Sequence, residues 1–228
     1  MTELVTITRQ GVELTGEAKG EGPEILLLHA GGESRHVWRP VMSTLAKQGF
    51  RSVAFDQRGH GDSGGGAADG VLAYGDDAKA MIGLLHKPVV VGGSLGGFAL
   101  ILALEALQAD IAGLVLVDVT PAPNPEITRA YLSPRGGLGA SPLVDDILSR
   151  SDQLSHIVAG LDLPILLVCG GARSPIDDDA RASFLSIAPQ ALIETVEGAG
   201  HLVARDAPAE LSRLIGDFAN RPEVAARR

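Results

Sequence analysis

Gly92, Ser94 and Gly96 form a G-x-S-x-G stretch directly after the apolar run Val89-Val90-Val91 and before a segment rich in Ala and Leu. A serine on a tight strand-to-helix turn sits in a strained backbone conformation, with no room for side chains on either flank. Glycines two before and two after it give that clearance. The helix beyond aims its unpaired N–H groups and the positive end of its dipole at negative charge developing beside Ser94. The chemistry this favours is nucleophilic attack by a hydroxyl. The same residues also fit a glycine-rich turn that serves helix–sheet packing or phosphate binding.

A serine hydroxyl needs a base to take its proton, and the chain has six histidines. His201 closes Gly198-Ala199-Gly200-His201, a flexible turn after the last strand pattern. That turn falls at the carboxyl edge of the sheet, where ligands gather in open α/β sheets. His86 stands just before Pro88 at a helix end and reads as solvated; His156 lies in an irregular stretch and could face either way. His29 and His60 sit in glycine-rich turns, where backbone hydrogen bonding is their expected duty.

The elements that would position these groups are visible in the hydrophobic pattern. Residues 4–8 and 12–17 alternate with the period of half-buried strands, and Arg9-Gln10-Gly11 between them reads as the turn of a hairpin. After Gly22-Pro23 come short, continuous apolar runs: Ile25-Leu26-Leu27-Leu28, Ser52-Val53-Ala54-Phe55, Val89-Val90-Val91, Leu114-Val115-Leu116-Val117 and Ile165-Leu166-Leu167-Val168. Strands covered on both faces read this way, and residues 191–196 would be a last one. Between them, 38–48, 71–85, 95–108, 178–187 and 208–219 have helical composition and period. The alternation predicts an α/β fold: a doubly wound, mostly parallel sheet with an N-terminal antiparallel hairpin and helices on both faces.

One stretch breaks the rhythm. Residues 121–161 carry five prolines, plus Gly136-Gly137 and Gly139, and only 145–159 reads as helix. A lid insertion at about 119–162 is expected, too short and irregular for a core of its own. The rest reads as a single domain over 1–220, with 221–228 a frayed tail.

Composition bounds the partners. The 228 residues are 45 % hydrophobic and 21 % charged, enough apolar material for a core and too much for a disordered chain. Nineteen basic against 28 acidic side chains leave a charge of −9, which repels phosphate backbones and anionic lipid. Nucleic-acid and membrane partners are therefore not expected. Cys169 is the lone cysteine, so neither an intrachain disulfide nor a thiolate metal cluster is available. The first ten residues lack the charged start and apolar run of a signal peptide, and no window spans a bilayer. The expectation is a soluble cytoplasmic protein, monomer or homodimer, acting on a small molecule with no cofactor and no metal.

Five motifs in order, Leu28-His29-Ala30-Gly31-Gly32, Asp56-Gln57-Arg58-Gly59-His60-Gly61-Asp62-Ser63, Gly92-Gly93-Ser94-Leu95-Gly96-Gly97, Leu116-Val117-Asp118 and Gly198-Ala199-Gly200-His201, resemble the α/β-hydrolase family over nearly the whole chain. The resemblance implies that Gly31 and Leu95 supply the two oxyanion-hole N–H groups, which bind the oxygen only as it becomes negative. It makes the stretch 56–63 a structural turn framing the pocket. His29, Ala30, Arg35, His36 and Trp38 are candidates for the pocket wall, with Trp38 equally readable as a core anchor.

The acid departs from the family pattern. Relatives usually carry an aspartate a few residues past the penultimate strand, and here that position falls on Ser174 or, with a slip, on Pro175. Asp177 is the nearest carboxylate, but with Asp178 and Asp179 it also reads as the cap and first turn of the next helix. Some members, including certain haloalkane dehalogenases and lipases, take the acid from the strand end where Asp118 stands, so Asp118 is favoured. The implied activity is cofactor-independent hydrolysis of an ester, lactone or thioester of a small apolar molecule through an acyl-enzyme on Ser94. C–C bond cleavage, cyclisation or other acid–base chemistry at the same residues, or non-catalytic ligand binding, are the alternatives.

Overall fold

The computed structural model describes residues 2–66, 69–134 and 138–228. Among them the strands are β1 (Thr2–Arg9), β2 (Val12–Lys19), β3 (Glu24–Leu28), β4 (Arg51–Phe55), β5 (Val89–Gly93), β6 (Gly113–Val117), β7 (Ile165–Gly170) and β8 (Leu192–Val196). They form one sheet in the order β1-β2-β4-β3-β5-β6-β7-β8. Strands β1, β2 and β4 pair antiparallel, and every later neighbour pairs parallel. Arg9 pairs with Val12, so the hairpin turns on Gln10 and Gly11 alone, both with positive φ, as a tight two-residue turn requires.

The continuous apolar runs are the central strands, as expected, and each shares its side chains between two cores. In β3, Leu26 and Leu28 join one cluster while Ile25 and Leu27 join the other. The helices are α1 (Arg39–Lys47), α2 (Gly70–Ile82), α3 (Leu95–Leu107), α4 (Pro125–Leu132), α5 (Pro142–Ser149), α6 (Ser151–Ala159), α7 (Asp178–Ile187), α8 (Val203–Asp206), α9 (Pro208–Ala219) and α10 (Pro222–Ala225). Val41, Met42 and Leu45 of α1 and Leu211, Leu214 and Ile215 of α9 cover one face. Helices α2, α3 and α6 cover the other through Tyr74, Met81, Leu100, Leu104 and Leu154.

Two sequence expectations need correction. Among its described residues the insertion holds three α-helices, not one. The helix expected over 145–159 is broken at Arg150 into α5 and α6, and α4 precedes them. Only α4 and α5 roof a cavity; α6 buries Leu154, Ile157 and Val158 in the core. The tail over 221–228 is not frayed. Pro222 starts α10, whose Val224 is fully buried, and Arg227 donates to the carbonyls of Gln108, Ile111 and Asp162. One large apolar residue in so short a stretch has no periodicity to announce it. Among the described residues no helix is long and apolar enough to cross a membrane.

Candidate active site

Ser94 occupies the turn between β5 and α3 with φ +44° and ψ −110°, a region a serine adopts only when its surroundings force it. Those surroundings are the two glycines. A Cβ on Gly92 would stand 2.5 Å from the Gly96 carbonyl carbon, and one on Gly96 would stand 2.4 Å from the Leu28 oxygen. Both obstacles are backbone, so β5 can hand over to α3 at this angle only through glycine. The Ser94 amide donates to Val117 O at 3.3 Å, tying the turn to the end of β6.

One residue past β6, Asp118 is also left-handed, with φ +53°, and its amide donates to Val168 O at 2.7 Å. Its side chain is buried, and its two oxygens have separate partners. Oδ1 accepts from Gly170 N–H at 2.7 Å and from the Ser174 hydroxyl at 2.7 Å. Oδ2 lies 2.8 Å from His201 Nδ1. A carboxylate there makes Nδ1 the donor and leaves the Nε2 lone pair as the basic site. His201 is held from behind: Gly200 N–H donates to Asp206 at 2.9 Å, and Gly171 N–H donates to Ala199 O at 3.0 Å. The Tyr131 ring meets the His201 ring edge-on, with centroids 5.2 Å apart.

Asp177 takes no part in this pairing. It caps α7, its Oδ1 accepting Ala180 N–H at 2.9 Å, the structural role its neighbours Asp178 and Asp179 announce.

Gly31 and Leu95 face each other across the carboxyl edge; a Cβ on Gly31 would stand 3.7 Å from Leu95 Cδ2. Leu95 is the first residue of α3, so its N–H has no partner within the helix. Two histidines brace the Gly31 loop. His29 is fully buried, its Nδ1 2.8 Å from Ala30 O while Nε2 accepts Gln57 N–H at 3.1 Å. His60 has the same arrangement: Nδ1 faces Arg58 O at 2.9 Å and Nε2 accepts Gly32 N–H at 3.1 Å. Each Nδ1 faces a carbonyl and must carry the proton. Each spends both ring nitrogens on backbone, as their glycine-rich settings led us to expect. Burial, above all, lowers His29 to a pKa of about 4, with the nearby His60 adding to the shift.

A cavity of about 280 Å³ opens on these groups, with Ser94, Gly31, Leu95, Asp118 and His201 in its wall and α4 and α5 above it. The rest of the lining is mostly apolar, led by Phe98, Val119, Ile127, Val144, Ile147 and Ile176, and among the described residues no Lys, Arg or Glu faces in. Of the residues expected on the wall, Ala30 is there; His29, Arg35, His36 and Trp38 are not. Arg35 is buried against Asp56 and Asp62, and Trp38 is 1 % exposed within the α1 core. Charge pairing claims Arg35 and packing claims Trp38 before any ligand does, while His36 is exposed. Tyr131 and Ile127 were not anticipated. Their signal was present in Asn124-Pro125, a cap and first-turn proline, followed by apolar residues four apart.

The alpha/beta hydrolase fold family model matches residues 23–138, and the chain belongs to that family. It is similar to a Variovorax paradoxus protein named as a carbamate hydrolase, 36 % identical over 125 residues, which are 52 % of this chain and 46 % of that protein. It is also similar to an esterase of Mycobacterium tuberculosis, 37 % identical over 109 residues, 45 % of this chain and 35 % of the esterase. The matched stretch thus spans less than half the length of either relative. In fold, the chain superposes on a thermophilic esterase from Thermogutta terrifontis with a TM-score of 0.76, covering 96 % of this chain and 98 % of that one at 21 % identity.

Proposed function

We propose that the protein is a cofactor-independent serine hydrolase that cleaves an ester or thioester of a small, uncharged, apolar acyl group. The observation that carries this is the 2.8 Å contact of Asp118 with His201, in the wall of the cavity that Ser94 enters from a strained turn. In this reading His201 Nε2 takes the Ser94 proton as Oγ attacks the carbonyl carbon. The oxygen that becomes negative is held by the N–H groups of Gly31 and Leu95, where α3 adds the positive end of its dipole. His201 then gives its proton to the leaving alkoxide or thiolate. Water, deprotonated by the same nitrogen, releases the acid from Ser94. Asp118 keeps the imidazole in the productive tautomer and stabilises its cation without accepting the proton.

The described part of the wall supports the preference for an uncharged acyl group. A carboxylate or ammonium entering an apolar cavity loses its hydration, and without an opposite charge to meet it the loss is not recovered. C–C bond cleavage and cyclisation drew part of their weight from the missing acid after β7, and the contact of Asp118 with His201 weakens that argument. The relatives named as esterase and carbamate hydrolase act on acyl carbonyls by name, which also favours this reading.

Ser94→Ala is expected to lower hydrolysis of p-nitrophenyl butyrate by at least about a thousandfold and to abolish labelling by a fluorophosphonate probe, with the thermal melt unchanged. Full turnover in that variant would refute the assignment. Butyrate and hexanoate esters are expected to outpace a succinate half-ester of similar length.

A further inference from the structure

We propose that Ser174 is a positioning residue for the acid–base pair, its hydroxyl holding the Asp118 carboxylate so that Oδ2 stays turned to His201. The inference rests on the serine-hydrolase reading above and adds to it a group outside the cavity wall, since Ser174 does not line that wall.

The direction of the Ser174 proton is dictated by its neighbours. Its oxygen accepts Ile176 N–H at 3.0 Å, and the Asp118 Oδ1 at 2.7 Å offers lone pairs only. The hydroxyl hydrogen therefore goes to Asp118. Ile176 N–H, Ser174 O–H, Asp118 and His201 form one ordered chain of donors and acceptors, in which each bond polarises the next. Gly170 N–H also donates to Oδ1, but a single backbone donor leaves the carboxylate free to rock about its own axis. Ser174 supplies the second point that stops it.

The loop carrying Ser174 is bound to the turn carrying His201 as well. Arg173 bridges to Gly200 in parallel register, and its guanidinium donates to Gly198 O at 2.6 Å. A Cβ at Gly170 would stand 3.2 Å from Ser174 Cβ and 2.5 Å from Gly200 O, so three chain segments close on one point with no slack. Ser174 thus sits where the ends of β6, β7 and β8 are locked together. From there it reaches the base through the acid.

Two donors on Oδ1 also draw charge from Oδ2. Removing one leaves more negative charge facing His201 and favours the imidazolium. Ser174→Ala is therefore expected to lower kcat on p-nitrophenyl butyrate about tenfold, the size of losing one hydrogen bond to a charged group. KM should stay within about twofold, because the wall is untouched. The acid limb of the kcat/KM profile should move to higher pH. Ser174→Thr, which keeps the hydroxyl, should recover most of the rate. Ser174→Cys keeps the volume with a weaker donor and should fall between, which serves if the alanine variant does not accumulate.

A readout independent of turnover is the proton NMR resonance of His201 Nδ1–H, expected downfield in the unmodified protein and displaced, with faster exchange, in Ser174→Ala. An alanine variant with unchanged kcat, an unmoved acid limb and an unmoved resonance overturns the role of Ser174, while fluorophosphonate labelling of Ser94 persists. If the unmodified protein itself neither labels nor turns over, the hydrolase reading is what fails, and the inference falls with it.

Discussion

A carboxylate orients an imidazole only from within hydrogen-bond reach, and of the two aspartates near the carboxyl edge Asp118 has that reach while Asp177 is spent on the Ala180 amide of α7. Asp118→Asn keeps the shape but turns the partner of His201 from an acceptor into a group that can donate, favouring the wrong tautomer. A loss of about ten-thousandfold in kcat is expected. Asp177→Asn swaps one good cap for another, so kcat should stay within about twofold and the melt should hardly move. Parallel steady-state kinetics on the two variants check this, and similar small losses in both would remove Asp118 from the mechanism. The turn at Ser94 was legible because it depends on a local spacing. The carboxylate beside His201 was legible only as a choice between two residues, since which one meets the imidazole depends on a contact 83 positions apart in the chain. Arg35 misled for a related reason: nothing local announces that Asp56 and Asp62 will neutralise it in the interior.

Elements meet the site where β5 turns into α3, and the glycines there are unequal. A methyl on Gly96 would collide with the Leu28 carbonyl at 2.4 Å, whereas one on Gly93 would find Ala30 N at 3.8 Å, an ordinary contact. Gly96→Ala must therefore push α3 off β3 or unwind the turn. A destabilisation of about 2–3 kcal/mol, the usual size of overpacking, is expected together with loss of Ser94 labelling. Gly93→Ala should stay within about 0.5 kcal/mol. Urea titration of both variants decides it, and equal stabilities would mean that the turn has more room than the backbone shows. The central strands and the helices after them were readable because burial on two faces leaves continuous apolar runs. Helix α4 was not: it buries no residue fully, so its apolar side faces a cavity, and the pattern that core packing would impose is weak.

At the scale of the whole molecule the site is tied to global stability through His29, whose ring joins the Gly31 loop to the β4 exit by accepting Gln57 N–H. The native state resists protonating it, with a pKa of about 4 against 6.5 for the free side chain, chiefly because burial penalises the charge. Below pH 6.5 the unfolded chain binds a proton that the folded one refuses, so stability is complete above that pH and falls as pH drops, levelling off below about 4. Between pH 7 and pH 5 the loss attributable to His29 should be about 2 kcal/mol. Glu33, whose carboxyl burial pushes upward, works in the opposite sense, so the slope of the unmodified protein alone is not diagnostic. The diagnostic quantity is the difference from His29→Gln, which keeps a polar group of similar reach but cannot titrate. That variant is expected to start less stable at pH 7 and to lose about 2 kcal/mol less on acidification. Urea midpoints measured across pH 7 to 5 supply the comparison, and parallel curves for the two proteins would show that the buried imidazole does not link protons to folding.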